Sequence, residues 1–165
     1  MIFVTVGTHE QQFNRLVEYV DRLKEEKIID EEVIIQTGFS TYEPKKCNFK
    51  KLIPYNEMVE NIKKARIVIT HGGPASFILP LQYSKVPIVV PRKLDFEEHV
   101  NNHQVDFVQL VSERMNNIIP VYEIGDLKYK ILNYDEEIKK INNELKSNNE
   151  KFNTELENII NELLK

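Results

Sequence analysis

The sharpest chemical signal in the sequence is HGGPAS, residues 71–76. Gly72 and Gly73 let the backbone turn tightly and approach a ligand with no side chain in the way. Pro74 suits the first turn of a helix, where its missing N–H is not needed. The amides of Gly73, Ala75 and Ser76 are then expected to stand free at the positive end of that helix, a setting that holds phosphate or diphosphate. A tight strand-to-helix turn without a ligand is the competing reading. Two other polar runs carry usable chemistry: Gly7, Thr8 and His9, and then Arg92 followed by Glu97, Glu98, His99, Asn101, Asn102, His103 and Gln104. Neither G-x-G-x-x-G nor G-x-x-x-x-G-K-[ST] occurs, which disfavours a dinucleotide site and a P-loop. His99 and His103 are four residues apart, but no third ligand accompanies them and H-E-x-x-H is absent, so no metal cofactor is expected.

All three runs fall where strand signals end. Ile2 to Val6 reads as a buried strand, and Phe13, Leu16, Val17, Val20 and Leu23 recur at helical spacing. Val33 to Gln36 and Phe49 to Ile53 read as strands, and Met58, Val59, Ile62 and Ala65 as a helix. Ile67 to Ile69 is a strand broken by HGGP, with a helix from Ala75 to Tyr83. Pro87 to Pro91 and Ile118 to Tyr122 complete the strands. Helices are expected around Val105 to Val111 and from Asp126 to Leu132. Such a β-α alternation, repeated about six times with near-continuous apolar strands, predicts a doubly wound, mostly parallel sheet. In that architecture ligands bind beyond the carboxyl ends of the strands, where the three polar runs would meet.

The chain has 165 residues, with 41% apolar and 29% charged side chains, ordinary values for a globular protein. A net charge of −4 gives no nucleic-acid footprint, and the single cysteine, Cys47, excludes a disulfide framework. No apolar run approaches the roughly 18 residues of a membrane span. The opening MIFVTVG lacks the basic front of a signal peptide, so a cytoplasmic location is expected. The α/β body is assigned to residues 1–134. Beyond it, residues 135–165 contain no Gly or Pro, and Ile138, Ile141, Leu145, Phe152, Leu156, Ile159 and Leu163 form a helical stripe.

The segments VGTHEQQFNRLV, IPYNEMVENIKKARIVITHGGPASF and KVPIVVPRKLDFEEHVNNHQVDF together resemble glycosyltransferase family 28, C-terminal domain, over residues 1 to about 110. The likeness extends to the small catalytic subunits of split bacterial exopolysaccharide transferases of the capsular β-1,4-galactosyltransferase type. It extends also to the catalytic subunit of the two-part dolichol-linked GlcNAc transferase. The resemblance implies a Rossmann-like sheet forming the donor-binding half of a GT-B fold, a UDP-sugar donor, and transfer with inversion to a lipid-linked acceptor. Carried over by position, it assigns the donor diphosphate to Gly7, Thr8, His71, Gly72, Gly73, Ala75 and Ser76, and Arg92 is expected to help neutralise it. Tyr55 stands where relatives contact uracil, with packing as its other reading. Glu98, His99, Asn102, His103 and Gln104 fall to the donor sugar, with Asn102 and Gln104 as the gripping pair and a solvated helix start as the alternative. His9, at the mouth of the same cleft, is the candidate base for the acceptor hydroxyl, or else a cap or solvent-exposed residue. One departure stands out: Pro80 occupies the place of the family's ribose-binding Glu, leaving Gln82 or Ser76 as replacements.

These readings lead to a UDP-sugar-dependent transferase subunit needing no cofactor and no nucleic acid. Its expected partner is a membrane-anchored subunit that supplies the acceptor half and holds the chain at the inner membrane face; a homodimer is also possible. A non-catalytic UDP-sugar-binding regulatory module and a UDP-sugar epimerase are the alternatives. The partner contact is expected on residues 135–165.

Overall fold

The computed structural model describes residues 1–141. Six strands, β1 (Ile2–Thr5), β2 (Val33–Gln36), β3 (Asn48–Lys50), β4 (Ile67–His71), β5 (Ile88–Val90) and β6 (Ile119–Pro120), form one sheet. Every pairing is parallel and the order is β3-β2-β1-β4-β5-β6. Sequence order reverses between β1 and β4, which places the topological switch point, where such sheets bind ligands, beside Gly7 and His71. The helices are α1 (Asn14–Glu25), α2 (Tyr55–Lys64), α3 (Pro74–Gln82), α4 (His103–Met115), α5 (Leu127–Leu132) and α6 (Tyr134–Lys140).

The near-continuous apolar strands are explained by burial on both faces. Ile2, Val4, Ile67, Ile69, Ile88 and Val90 join a core under α1, α5 and α6 that includes Leu16, Val20, Leu127 and Tyr134. Their alternates point the other way. Phe3 and Val68 pack with Ile62 of α2, and Val89 packs with Phe77 of α3 and Val108 of α4. Each fully buried aliphatic or aromatic side chain contributes about 1.5–3 kcal/mol relative to exposure.

Two strands differ from the sequence expectation. β3 covers Asn48–Lys50 rather than Phe49 to Ile53, and all three of its residues are exposed on the sheet edge. β6 shrinks to Ile119–Pro120, because Pro120 has no N–H to continue a ladder and is tolerated only at an edge. As the polar run around Glu43, Pro44 and Lys45 indicates, no helix connects β2 to β3. Residues 37–47 cross over as a loop laid against α1, which holds it through two side chains seven residues apart on one face. Asn14 Oδ1 accepts from the amides of Thr41 and Tyr42 at 2.9 and 3.0 Å. The Asp21 carboxylate accepts from the amides of Lys45, Lys46 and Cys47 at 2.8–2.9 Å and from the Tyr42 hydroxyl at 2.9 Å.

Pro80 lies inside α3 without ending it, and is buried. At the end of the described chain α6 packs back on the body. Tyr134 donates its hydroxyl to Val86 O at 2.6 Å, and Ile141 is buried in the main core. The helical stripe expected from Leu145 onward, with the partner contact assigned to it, lies outside the described residues.

Burial alone would raise the Asp21 pKa, but its four donors outweigh that and hold it below the ordinary carboxylate value. The stability it supplies is present above the unfolded carboxylate pKa and lost as pH falls through the lower folded value. Asp21→Asn is expected to cost about 2–3 kcal/mol in urea unfolding at pH 7, because two or more amides lose their anionic acceptor. The variant's stability should also vary less with pH below about 4 than that of the unaltered chain; parallel pH profiles would refute the assignment.

Candidate functional site

The site is built where β1, β4 and β5 end. His71 is the last residue of β4, paired with Val90 of β5. Its Nδ1 accepts the Gly73 N–H at 3.0 Å, and its Nε2 lies 2.6 Å from Ser76 Oγ in the first turn of α3. The imidazole is clamped between two glycines. A Cβ on Gly7, whose φ is +78°, would fall 2.4 Å from His71 Nε2, and one on Gly73 would fall 2.3 Å from Cε1. Glycine is needed at both places to make room for the ring of a neighbouring residue. In the sequence Gly73 reads as a place for the approach of a ligand; in the fold its missing Cβ admits the His71 ring.

The start of α3 offers fewer open amides than expected. Gly72 N–H is bound to Gln104 Oε1 at 3.0 Å, Gly73 N–H to His71, and Ser76 N–H to Gly73 O at 3.0 Å. Ala75 N–H has no acceptor among the described residues, so it and the Ser76 hydroxyl are the donors this turn can give an anion. His71 itself is pushed down to a pKa of about 4, first by burial and then by the charge of Arg92. It is neutral at physiological pH.

Arg92 and Glu98 need correction as ligand contacts. Arg92 has 0% exposure, and its guanidinium donates to the carbonyls of Val6, Gln11, Gln12 and Glu98 at 2.8–3.0 Å while lying over the Phe13 ring. Sealed at 0% exposure, the side chain is closed to a diphosphate, and its charge acts through space. Glu98 is also at 0% exposure. Its carboxylate takes a two-pronged contact from Arg15 at 2.9 Å and the Lys93 amide at 3.0 Å, which removes it from the sugar-binding set. Both follow β5, where the sequence places the site; the fold turns them inward.

Beside the α3 terminus lies a cleft of about 510 Å³, within the range of small-molecule sites. Gly72, Gly73 and Pro74 form one wall, and His99, His103, Gln104, Asp106, Phe107 and Leu110 the other. Asp106, Phe107 and Leu110 were not anticipated. The signal was present, since they follow His103 at +3, +4 and +7 on one helical stripe. Gln104 Oε1 also accepts the Arg92 amide at 3.2 Å, so it is the Gln104 side-chain NH₂ that is left for a ligand. Asn102 is exposed just before α4, with its Oδ1 taken by the Leu94 amide at 2.9 Å. Thr8 is exposed, and Tyr55, 65% exposed at the start of α2, does not line the cleft. Gln82, the suggested ribose contact, is the last residue of α3, about 12 Å along the axis from Pro74. That distance separates it from the diphosphate end and weighs against the role.

His9 packs on His99, their ring centroids 4.9 Å apart. Its pKa is lowered by burial, then by the charges of Arg92 and His99, which leaves it neutral near pH 7. His9 Nδ1 accepts the Gln11 amide at 3.2 Å. His99 and His103 do not share a helical face, because α4 begins only at His103. Among the described residues no three His, Cys, Asp or Glu side chains are grouped to hold a metal ion. No described helix is long and apolar enough to cross a membrane.

The sequence profile described as "Glycosyltransferase family 28 C-terminal domain" matches residues 1–163. No curated protein sequence matches significantly. The fold is similar to the crystal structure of the glycosyltransferase SnogD from Streptomyces nogalater, with a TM-score of 0.55 at 16% identity. It is similar also to the structure of the glycotransferase of kitacinnamycin, with a TM-score of 0.59 at 13% identity. The matches cover 85% and 88% of this chain but only 36% and 39% of those two, so the chain spans somewhat over a third of their length.

If Arg92 is the buried tie described above, Arg92→Leu should lower stability in urea by about 3 kcal/mol, because four carbonyls lose their donor at once. A variant as stable as the unaltered chain, but deficient in ligand affinity, would return Arg92 to the ligand-binding set.

Proposed function

We propose that this chain, which belongs to the glycosyltransferase family 28 C-terminal domain family, is the donor-binding subunit of an inverting glycosyltransferase that uses a UDP-sugar. The observation that carries the reading is the α3 terminus at the switch point. There a helix of nine residues presents the Ala75 N–H and the Ser76 hydroxyl beside a cleft large enough for a sugar nucleotide. The helix dipole and those two donors suit the UDP leaving group, on which negative charge builds as the anomeric bond breaks. The buried Arg92 cation adds favourable potential without contact. The Gln104 NH₂ and His103 border the space that the donor hexose, galactose or N-acetylglucosamine, would occupy.

His9 is the proposed base. Its lowered pKa favours the neutral imidazole that general-base catalysis requires. The lone pair now engaged by Gln11 N–H must be released, or the ring tautomer exchanged, when the acceptor hydroxyl arrives. A lipid-linked acceptor in exopolysaccharide or capsule synthesis fits the sequence resemblance. Acceptor binding is assigned to a membrane-associated partner, as the sequence resemblance implies. The apolar stripe of residues 135–165 is the segment assigned to that contact.

Calorimetry on the full chain is expected to detect UDP and UDP-sugar binding, and transfer should require the partner. His9→Ala should lower turnover by about 100-fold or more, with UDP affinity changed less than twofold. Undiminished transfer would move the base to the partner. Binding with no transfer under any partnered condition would leave a UDP-sugar-sensing module.

A further inference from the structure

A serine hydroxyl has one proton and can give it to only one acceptor. At the α3 terminus that proton matters, because the amides of Gly73 and Ser76 are already committed and Pro74 has none. Which way it points is decided by the ring beside it. The Gly73 amide donates to His71 Nδ1 at 3.0 Å, so in the neutral imidazole the ring proton resides on Nε2. That Nε2–H, 2.6 Å from Ser76 Oγ, must then be the donor of the pair, and the serine becomes the acceptor. In the opposite tautomer Ser76 would give its proton to the histidine and turn a lone pair toward an incoming anion.

We infer that His71 is a positioning residue, not a ligand contact: locked in the Nε2–H tautomer by the Gly73 amide, it keeps the Ser76 hydroxyl proton outward for the phosphate oxygen of the donor. This rests on the proposal that the α3 terminus receives the UDP moiety. The clamp explains why the ring cannot turn away. Gly7 lies against Nε2 and Gly73 against Cε1, each so close that even a methyl group would collide. The groups facing the ring include Arg92 and two further imidazoles, His9 and His99, which oppose its protonation, as burial does. The Gln104 side chain is the neighbour that favours protonation, and the ring nevertheless stays neutral. The arrangement makes His71, Gly73 and Ser76 a single device in which the glycine amide, by choosing the tautomer, sets the polarity of the hydroxyl.

The test joins a spectroscopic readout to a coupling measurement. On the uniformly ¹⁵N-labelled full chain, long-range ¹H–¹⁵N spectra are expected to show His71 Nδ1 as a bare, pyridine-type nitrogen and Nε2 as protonated from pH 8 to pH 5. A protonated Nδ1, an averaged pair of tautomers or an imidazolium at pH 7 would overturn the inference. This measurement uses the unaltered chain and decides the point even if a His71 variant does not fold. In calorimetry with UDP, Ser76→Ala should weaken binding about tenfold, the scale of one hydrogen bond to a charged group. His71→Asn, which can still accept the Gly73 amide but cannot reach Ser76, should cause a similar loss, and the double variant no more than either alone. Losses that multiply to about 100-fold would mean that the two side chains bind phosphate independently, and this inference would fall while UDP binding stood. If the unaltered chain bound no UDP at all, the proposed function would fail, and with it the assignment of an anion to the outward proton.

Discussion

A guanidinium sealed from water lies where the loops after β1 and β5 meet the entry to α1, and those loops depend on it. Arg92 collects the carbonyls of Val6, at the end of β1, of Gln11 and Gln12, before α1, and of Glu98, in the turn after β5. Loop carbonyls have no ladder to join, and burying them without donors costs about 1–3 kcal/mol each. One planar, five-donor side chain answers four of them. Glu98 then balances part of the charge while holding Arg15, which also donates to Pro91 O. The network fixes the distance between the first loop and the β5 loop, which carries His99 on the cleft wall.

The same cation shapes the chemistry nearby. Burial drags the Arg92 pKa down to about 10, still well above neutrality, so the site holds a permanent positive charge it never exposes. Water cannot screen it effectively, and its field reaches the two imidazoles that line the approach, helping to keep His9 and His71 neutral. A neutral histidine can act as a base or as a fixed hydrogen-bond relay; a charged one can do neither. The favourable potential for an anionic leaving group and the availability of neutral imidazole thus have one source.

On the other side of β1 the same logic runs with the sign reversed. The β2–β3 crossover has no helix of its own, and Asp21 gathers its amides as Arg92 gathers carbonyls. Both are single buried charges on regular elements or their ends, each satisfying irregular backbone. A sheet of parallel strands leaves its loops at the ends, and here the loops are held by side chains that the regular elements supply.

Periodicity alone specified the architecture: the apolar runs at Ile2, Val33, Ile67 and Ile88, each followed by turn residues, mark buried parallel strands because burial on both faces removes polar alternation. HGGPAS likewise marked a helix terminus, because glycine and proline act locally, through φ and a missing N–H. Local rules failed where the partner is distant in sequence. Arg92, 86 residues from Val6, and Glu98, 83 residues from Arg15, read as site residues because polarity in sequence does not say which way a side chain turns. Gly73 reads in sequence as a place for a ligand, whereas its missing Cβ makes room for His71. The commitment of the Gly73 amide to His71 and of the Gly72 amide to Gln104, which decides what an anion can meet, was equally invisible. The sequence by itself determined the order of elements and the place where they converge, since both follow from local geometry and burial. Only the tertiary structure decided which donors at that place are already taken, because hydrogen-bond partners are chosen by proximity in space.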